Sequence, residues 1–151
     1  GLMPTKLGAF GFSSQTLTAA TNNPNGYQTA ISTNQSSANS HASDLTRQSL
    51  SDAYLSTTAN SCTWNTNSKT LTNTDNTLLN NTYGFTLNST NLAAQKLCKI
   101  PDSTNPLTVK STTAANESGD NTTIYFGAKV DLNQTAGDYR TTIIYTALAD
   151  I

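Results

Sequence analysis

Thr123-Ile124-Tyr125-Phe126-Gly127-Ala128-Lys129-Val130-Asp131, followed after a short connection by Tyr139-Arg140-Thr141-Thr142-Ile143-Ile144-Tyr145-Thr146-Ala147-Leu148-Ala149, is the stretch on which the fold turns. In its first half Ile124, Phe126, Ala128 and Val130 alternate with Tyr125, Lys129 and Asp131, the two-residue period of a strand with one buried face. Its second half is apolar on both faces, with Ile144, Thr146 and Leu148 on one and Ile143, Tyr145 and Ala147 on the other. Such a pattern belongs to a strand buried within a sandwich or covered by another chain. Ala136-Gly137, in the connection from Leu132 to Asp138, supplies a turn, so the two strands are expected to pair as a hairpin.

The same vocabulary recurs at the other end of the chain. Thr16 to Thr21 and Tyr27 to Thr33 flank Asn22-Asn23-Pro24-Asn25-Gly26. Proline sets φ for a turn and Asn-Gly tolerates positive φ, which predicts a second hairpin. Between the two, short strands are expected near Lys69 to Thr72, Thr82 to Leu87 and Leu107 to Ser111. Pro101 and Pro106 bracket a loop. His41 to Leu55, with Ser40 or Ser43 as N-cap, reads as one short surface helix. About seven short strands at this spacing predict an all-β fold, a single antiparallel β-sandwich.

Composition narrows the class of function. The 151 residues suit one domain. Thr (28), Ser (16) and Asn (18) make up 62 of them, and only 11% are charged, for a net charge of -1. Six Tyr, four Phe and one Trp, with only four Pro, separate this polar chain from a disordered one. No basic face exists to neutralise phosphates, which argues against nucleic acid as a partner. No apolar run approaches the ~18 residues of a membrane-spanning helix. Six Asn-X-Ser/Thr acceptors (Asn34, Asn80, Asn88, Asn116, Asn121 and Asn133) are close to the number that chance yields in so Ser/Thr-rich a chain.

Cys62 and Cys98 stand too far apart for a metal knuckle, and no second pair or His cluster completes a zinc site. They read as a disulfide, with two unrelated buried thiols as the alternative. An even cysteine count and few charges suit an oxidising, extracellular setting.

Residues 1–15 read as an extended arm ahead of a domain spanning 16–151. Leu7, Phe10 and Phe12 are its apolar anchors, either as an ordinary first strand or as a strand added to a neighbouring subunit's sheet.

Three pieces in this order carry a resemblance: Asn22-Asn23-Pro24-Asn25-Gly26-Tyr27; Thr82-Tyr83-Gly84-Phe85; and Phe126-Gly127-Ala128-Lys129-Val130-Asp131 running on to Tyr145-Thr146-Ala147. Over Thr16 to Ile151 the chain resembles the Thr/Asn-rich β-sandwich modules of bacterial cell-surface proteins, adhesin-like or pilus-subunit-like. Where Tyr83 stands, that family usually carries Trp. The resemblance implies an exported, non-catalytic surface module.

The search for chemistry ends empty. His41 is the only imidazole, and no Gly-x-Ser-x-Gly elbow poses a nucleophile for it. Asp44 with Asp52, or Asp131 with Asp138, fit turns and caps better than a glycosidase pair. Asn116-Glu117-Ser118-Gly119-Asp120-Asn121 lacks the ligand spacing of an EF-hand. Neither a catalytic residue, a metal site nor a cofactor is expected. Trp64, two residues from Cys62, either packs on the disulfide or stacks on a sugar ring. The expectation is therefore a non-enzymatic extracellular structural protein, a subunit of a cell-surface filament or an adhesin module, joined through β-strand addition to copies of itself or to other surface subunits. The alternative is a module that binds a host glycan or protein, with Trp64 in its site.

Overall fold

The computed structural model describes residues 9–48, 53–73 and 76–151. Along the chain these form β1 (Phe10–Thr21), β2 (Tyr27–Thr33), β3 (Leu45–Arg47), β4 (Tyr54–Thr57), β5 (Cys62–Asn65), β6 (Thr70–Asn73), β7 (Thr82–Thr86), the helix α1 (Ser89–Ala93), β8 (Leu107–Ser111), β9 (Asn116–Lys129), β10 (Tyr139–Arg140) and β11 (Ile143–Ala149). Strand accounts for 49% of the structure and helix for 4%, so the all-β expectation holds. The strands near Lys69, Thr82 and Leu107 are where the sequence placed them.

The arrangement is not the single antiparallel sandwich expected. The strands form a six-stranded sheet in the order β1-β9-β7-β4-β3-β10 and a three-stranded sheet, β11-β2-β8, with one curled half-barrel among the sheets. The larger sheet is mixed, because β4 runs parallel to β7, with Ser56 opposite Thr82 and Thr57 opposite Tyr83. A separate two-stranded sheet, β5-β6, completes the set.

The core lies between the two larger sheets. Ile31, Leu55, Tyr83, Phe85, Ile100, Val109, Ile124 and Ala128 are buried there, with Phe126 and Val130 packed against them. The alternation read from Ile124 to Val130 is thus the core face of β9. Tyr125, on the opposite face, joins a second cluster of Leu78, Leu92, Leu97 and Phe10 beneath α1. The six-stranded sheet therefore buries apolar side chains on both faces.

Both expected hairpins are corrected. β9 pairs with β1 on one side and β7 on the other, so no edge remains for a hairpin partner. The chain leaves β9 through Asp131, whose N–H donates to Asn81 Oδ1 at 2.9 Å. It then pairs briefly with β3 as β10 and crosses to the smaller sheet, where β11 runs along β2 from Ile143 opposite Thr33 to Ala149 opposite Tyr27.

At the N-terminal end the turn chemistry is present: Gly26 N–H donates to Asn23 C=O at 3.0 Å, and Asn23 Oδ1 accepts from Asn25 N–H at 2.9 Å. The turn is a corner between sheets, with β1 in the larger and β2 in the smaller. Gly26 has φ +87°, and an added Cβ would lie 2.3 Å from Thr112 C=O, so this turn is seated against the end of β8's strand and steers β2 to that sheet.

The helix expected over His41 to Leu55 is also corrected. Asn39 to Asp44 forms successive turns, and the described residues on either side of 49–52 are strands β3 and β4. The short helix falls at Ser89–Ala93, where Asn88 caps it by accepting from Thr90 N–H at 2.7 Å. No helix among the described residues is long and apolar enough to cross a membrane.

Candidate functional site

The strand edges are the first feature that calls for an account. Among the described residues β1 and β11 are each paired on one side only, and neither contains a charged residue or a proline over its whole length. Sheet edges are ordinarily blunted by charge, proline or shortness, because unpaired N–H and C=O groups template pairing with another chain. The opposite edges follow that rule. β10 is two residues long and includes Arg140, while β8 is five residues long, carries Lys110 and follows Pro106.

One side-chain hydrogen bond links the two unprotected edge strands. Tyr145 Oη on β11 donates to Gln15 Oε1 on β1 at 2.9 Å. Burial holds the Tyr145 phenol in its neutral form, its pKa raised to about 12. Ile143 and Tyr145 point into the core, whereas Ile144 is 41% exposed and Leu148 65% exposed. The strand that reads as apolar on both faces therefore has only one face covered within the chain.

The apolar residues of the expected arm fall into three situations. Leu7 lies outside the described residues. Phe10 sits opposite Lys129 in the ladder and its ring covers Gly127, where a Cβ would come within 2.5 Å of ring carbons. Phe12 is 59% exposed and stacks beside Phe10 with ring centroids 6.3 Å apart. From Phe10 onward the segment belongs to its own sheet, in one ladder with the strand that continues to Thr21.

A second feature surrounds Trp64. Cys62 and Cys98 are joined in a disulfide, which ties the two-stranded β5-β6 sheet to the core at Cys98. The hairpin lies beside β8 and leaves a cleft of about 330 Å³ between itself, the end of β7, α1 and β9. Trp64, Lys69, Asn88, Asn91, Lys110 and Thr123 are among its walls, and among the described residues no Asp or Glu is. Trp64 joins neither buried cluster. Its indole N–H is shut off from solvent and has no hydrogen-bond acceptor among the described residues. Sequence reasoning singled out Trp64 but not the lysines and asparagines around it, which come from the turn of its own hairpin, from α1 with its cap and from β8.

Two further places were candidates for chemistry. His41 Nδ1 lies 2.9 Å from Asp44 Oδ2, and its ring stacks on Tyr54 at 3.7 Å between centroids. Asp44 Oδ1 also accepts from Thr57 N–H at 2.8 Å, so the pair fastens the 39–44 turns to β4. Among the described residues no hydroxyl or thiol is hydrogen-bonded to His41, so the nucleophile and base arrangement of a hydrolase is not assembled around it.

A cavity of about 550 Å³ lies under the 131–138 loop, with Leu45, Leu55, Tyr83 and Val130 as its floor. Its lining is mostly apolar, with Gln134, Asp138 and Arg140 also present, and Asp131 is held below the usual carboxylate range by hydrogen bonds from the Asn81 amide, the Asn133 N–H and the Asn80 amide. No group of three or more His, Cys, Asp or Glu placed to hold a metal ion occurs among the described residues. The chain matches no protein-family model, no curated protein and no solved structure, and its function is argued from the geometry above.

Proposed function

We propose that this chain is a non-catalytic building block of an extracellular surface structure, a subunit of a pilus-like filament or a module of an adhesin, joined to neighbouring copies by β-strand addition. The observation that carries the reading is the pair of long edges, β1 and β11, unpaired among the described residues and without charge or proline. A lone folded domain with such edges is an aggregation hazard. A subunit that adds a neighbour's strand satisfies the unpaired backbone groups, and Ile144 and Leu148 on the outward face of β11 offer a neighbouring copy a further apolar contact.

In this account the β1 edge of one copy takes the β11 edge of the next, a head-to-tail contact that repeats along a filament. The low charge of the Thr/Asn-rich surface supports close packing of copies without strong like-charge repulsion. A disulfide that closes a 37-residue loop supports an oxidising, extracellular compartment.

Lysine placed on the open strand tests the reading. Thr146→Lys and Leu148→Lys alter exposed positions, so each leaves folding stability within about 0.5 kcal/mol of the parent. Sedimentation velocity is expected to show concentration-dependent assembly of the parent chain and a monomer for either variant. A parent chain that stays monomeric at every concentration overturns the proposal, as do lysine variants that assemble like the parent.

A further inference from the structure

We infer that the Trp64 cleft binds an acidic saccharide, a pyranose ring carrying a carboxylate. This inference rests on a site apart from the open edges and stands or falls independently of assembly.

The first argument is the tryptophan itself. The only Trp of the chain contributes to neither buried cluster, although a sole Trp ordinarily serves the core. It lines the cleft instead, with its N–H buried and unpartnered among the described residues. The N–H is closed to solvent, so what the indole offers a ligand is its place in the cleft wall.

The second argument is charge. Lys69 and Lys110 line the cleft, neither forms an ion pair with a described residue, and no carboxylate of the described residues lines it, in a chain whose net charge is -1. Local positive charge on an otherwise weakly acidic molecule selects an anion.

Polar wall groups supply the third. Asn88 uses its Oδ1 on the Thr90 N–H, which leaves its amide NH₂ to donate; Asn91 and Thr123 add an amide and a hydroxyl. An aromatic plate, neutral hydrogen-bonding groups and two ammoniums match the C–H face, the hydroxyls and the carboxylate of one acidic sugar. A simple anion has no use for the indole, and a neutral sugar has none for the lysines. The cleft volume of about 330 Å³ lies at the low end of the ~300–1,000 Å³ range of small-ligand sites, which suits a short saccharide.

Trp64 is also its own reporter. Titrating the full chain with glucuronic acid, glucose and acetate at one pH, and following tryptophan emission, is expected to give saturable binding of glucuronate and at least roughly tenfold weaker binding of the other two. Lys69→Ala/Lys110→Ala is expected to lower glucuronate affinity roughly tenfold, to the level of glucose. Glucuronate binding by the parent chain is expected to weaken as salt is raised, a readout that needs no substitution. No saturable response to glucuronate overturns the inference. So does equal binding of acetate, which makes the cleft a plain anion site, or equal binding of glucose, or affinity indifferent to salt and to loss of both lysines.

Discussion

Breaking the Cys62–Cys98 bond is expected to lower stability by about 4 kcal/mol and to release the Trp64 cleft while the two larger sheets persist. The magnitude follows from the closed loop. Thirty-seven residues lie between and including the two cysteines, and the chain-entropy relation gives about 4 kcal/mol for a loop of that length. For a 151-residue chain this corresponds to a fall of roughly 12 °C in melting temperature. The cleft is affected because β5 and β6 pair only with each other, and an isolated two-stranded sheet is marginal in water.

Cys98 is fully buried and exchanges two backbone hydrogen bonds with Phe85, of 3.0 and 2.7 Å, so that end of the bridge stays in place without the sulfur–sulfur bond. Alanine is the suitable replacement, since serine would bury a hydroxyl at position 98. Melts of the oxidised chain, the reduced chain and Cys62→Ala/Cys98→Ala, followed by circular dichroism, give the stability change. Tryptophan emission gives the exposure of Trp64. A loss below about 1 kcal/mol, or unchanged emission on reduction, refutes the view that the bond staples this hairpin.

Other perturbations probe the corner, the tyrosines and the loop anchor. Gly26→Ala combines a left-handed φ with a Cβ driven against Thr112 C=O, and is expected to cost about 3 kcal/mol in urea unfolding. Tyr27 and Tyr145 have pKa values raised to about 12, Tyr27 by burial and then by Asp120, whose carboxylate accepts its hydroxyl at 3.3 Å. Unfolded tyrosine ionises near pH ~10, so the folded chain holds protons that the unfolded chain releases. Stability is therefore full below pH ~10 and falls as pH rises towards about 12, measurable as a drop in urea midpoint between about pH 9 and about pH 11. Asn81→Ala removes the main cause of the lowered Asp131 pKa, and carboxyl NMR is expected to show that titration moving up towards the ordinary carboxylate range. In the parent chain the contribution of Asp131 is present above the ordinary carboxylate pKa and is lost as pH falls through the lowered value.

What the sequence made legible was the faces of strands more than their partners. Alternation from Ile124 to Val130 located the core face of β9, and the two-sided apolarity of Ile143 to Ala149 marked a strand with one face left for something outside its own sheet. Pairing is set by contacts distant in sequence. β9 is occupied on both sides by β1 and β7, and that occupancy, invisible to any local pattern, turned an expected hairpin into a crossover. The Asn-Pro-Asn-Gly turn was readable, but not its seat against Thr112, which decides the sheet that β2 joins. α1 was missed although Asn88-Ser89-Thr90 carries a cap signal, because that triplet also fits a glycosylation acceptor and the helix is one turn long. Trp64 and the cysteines were picked out as residue types. The two lysines that give the cleft its charge come from β8 and from the turn of the β5-β6 hairpin, and only the folded chain brings them together.

The central claim is that this chain works by joining its edges to other copies. Electron microscopy of the purified full chain, concentrated under oxidising conditions beside Leu148→Lys, tests it most directly. The account predicts regular filaments from the parent chain and separate single-domain particles from the variant. Separate particles from the parent chain at the highest attainable concentration contradict it.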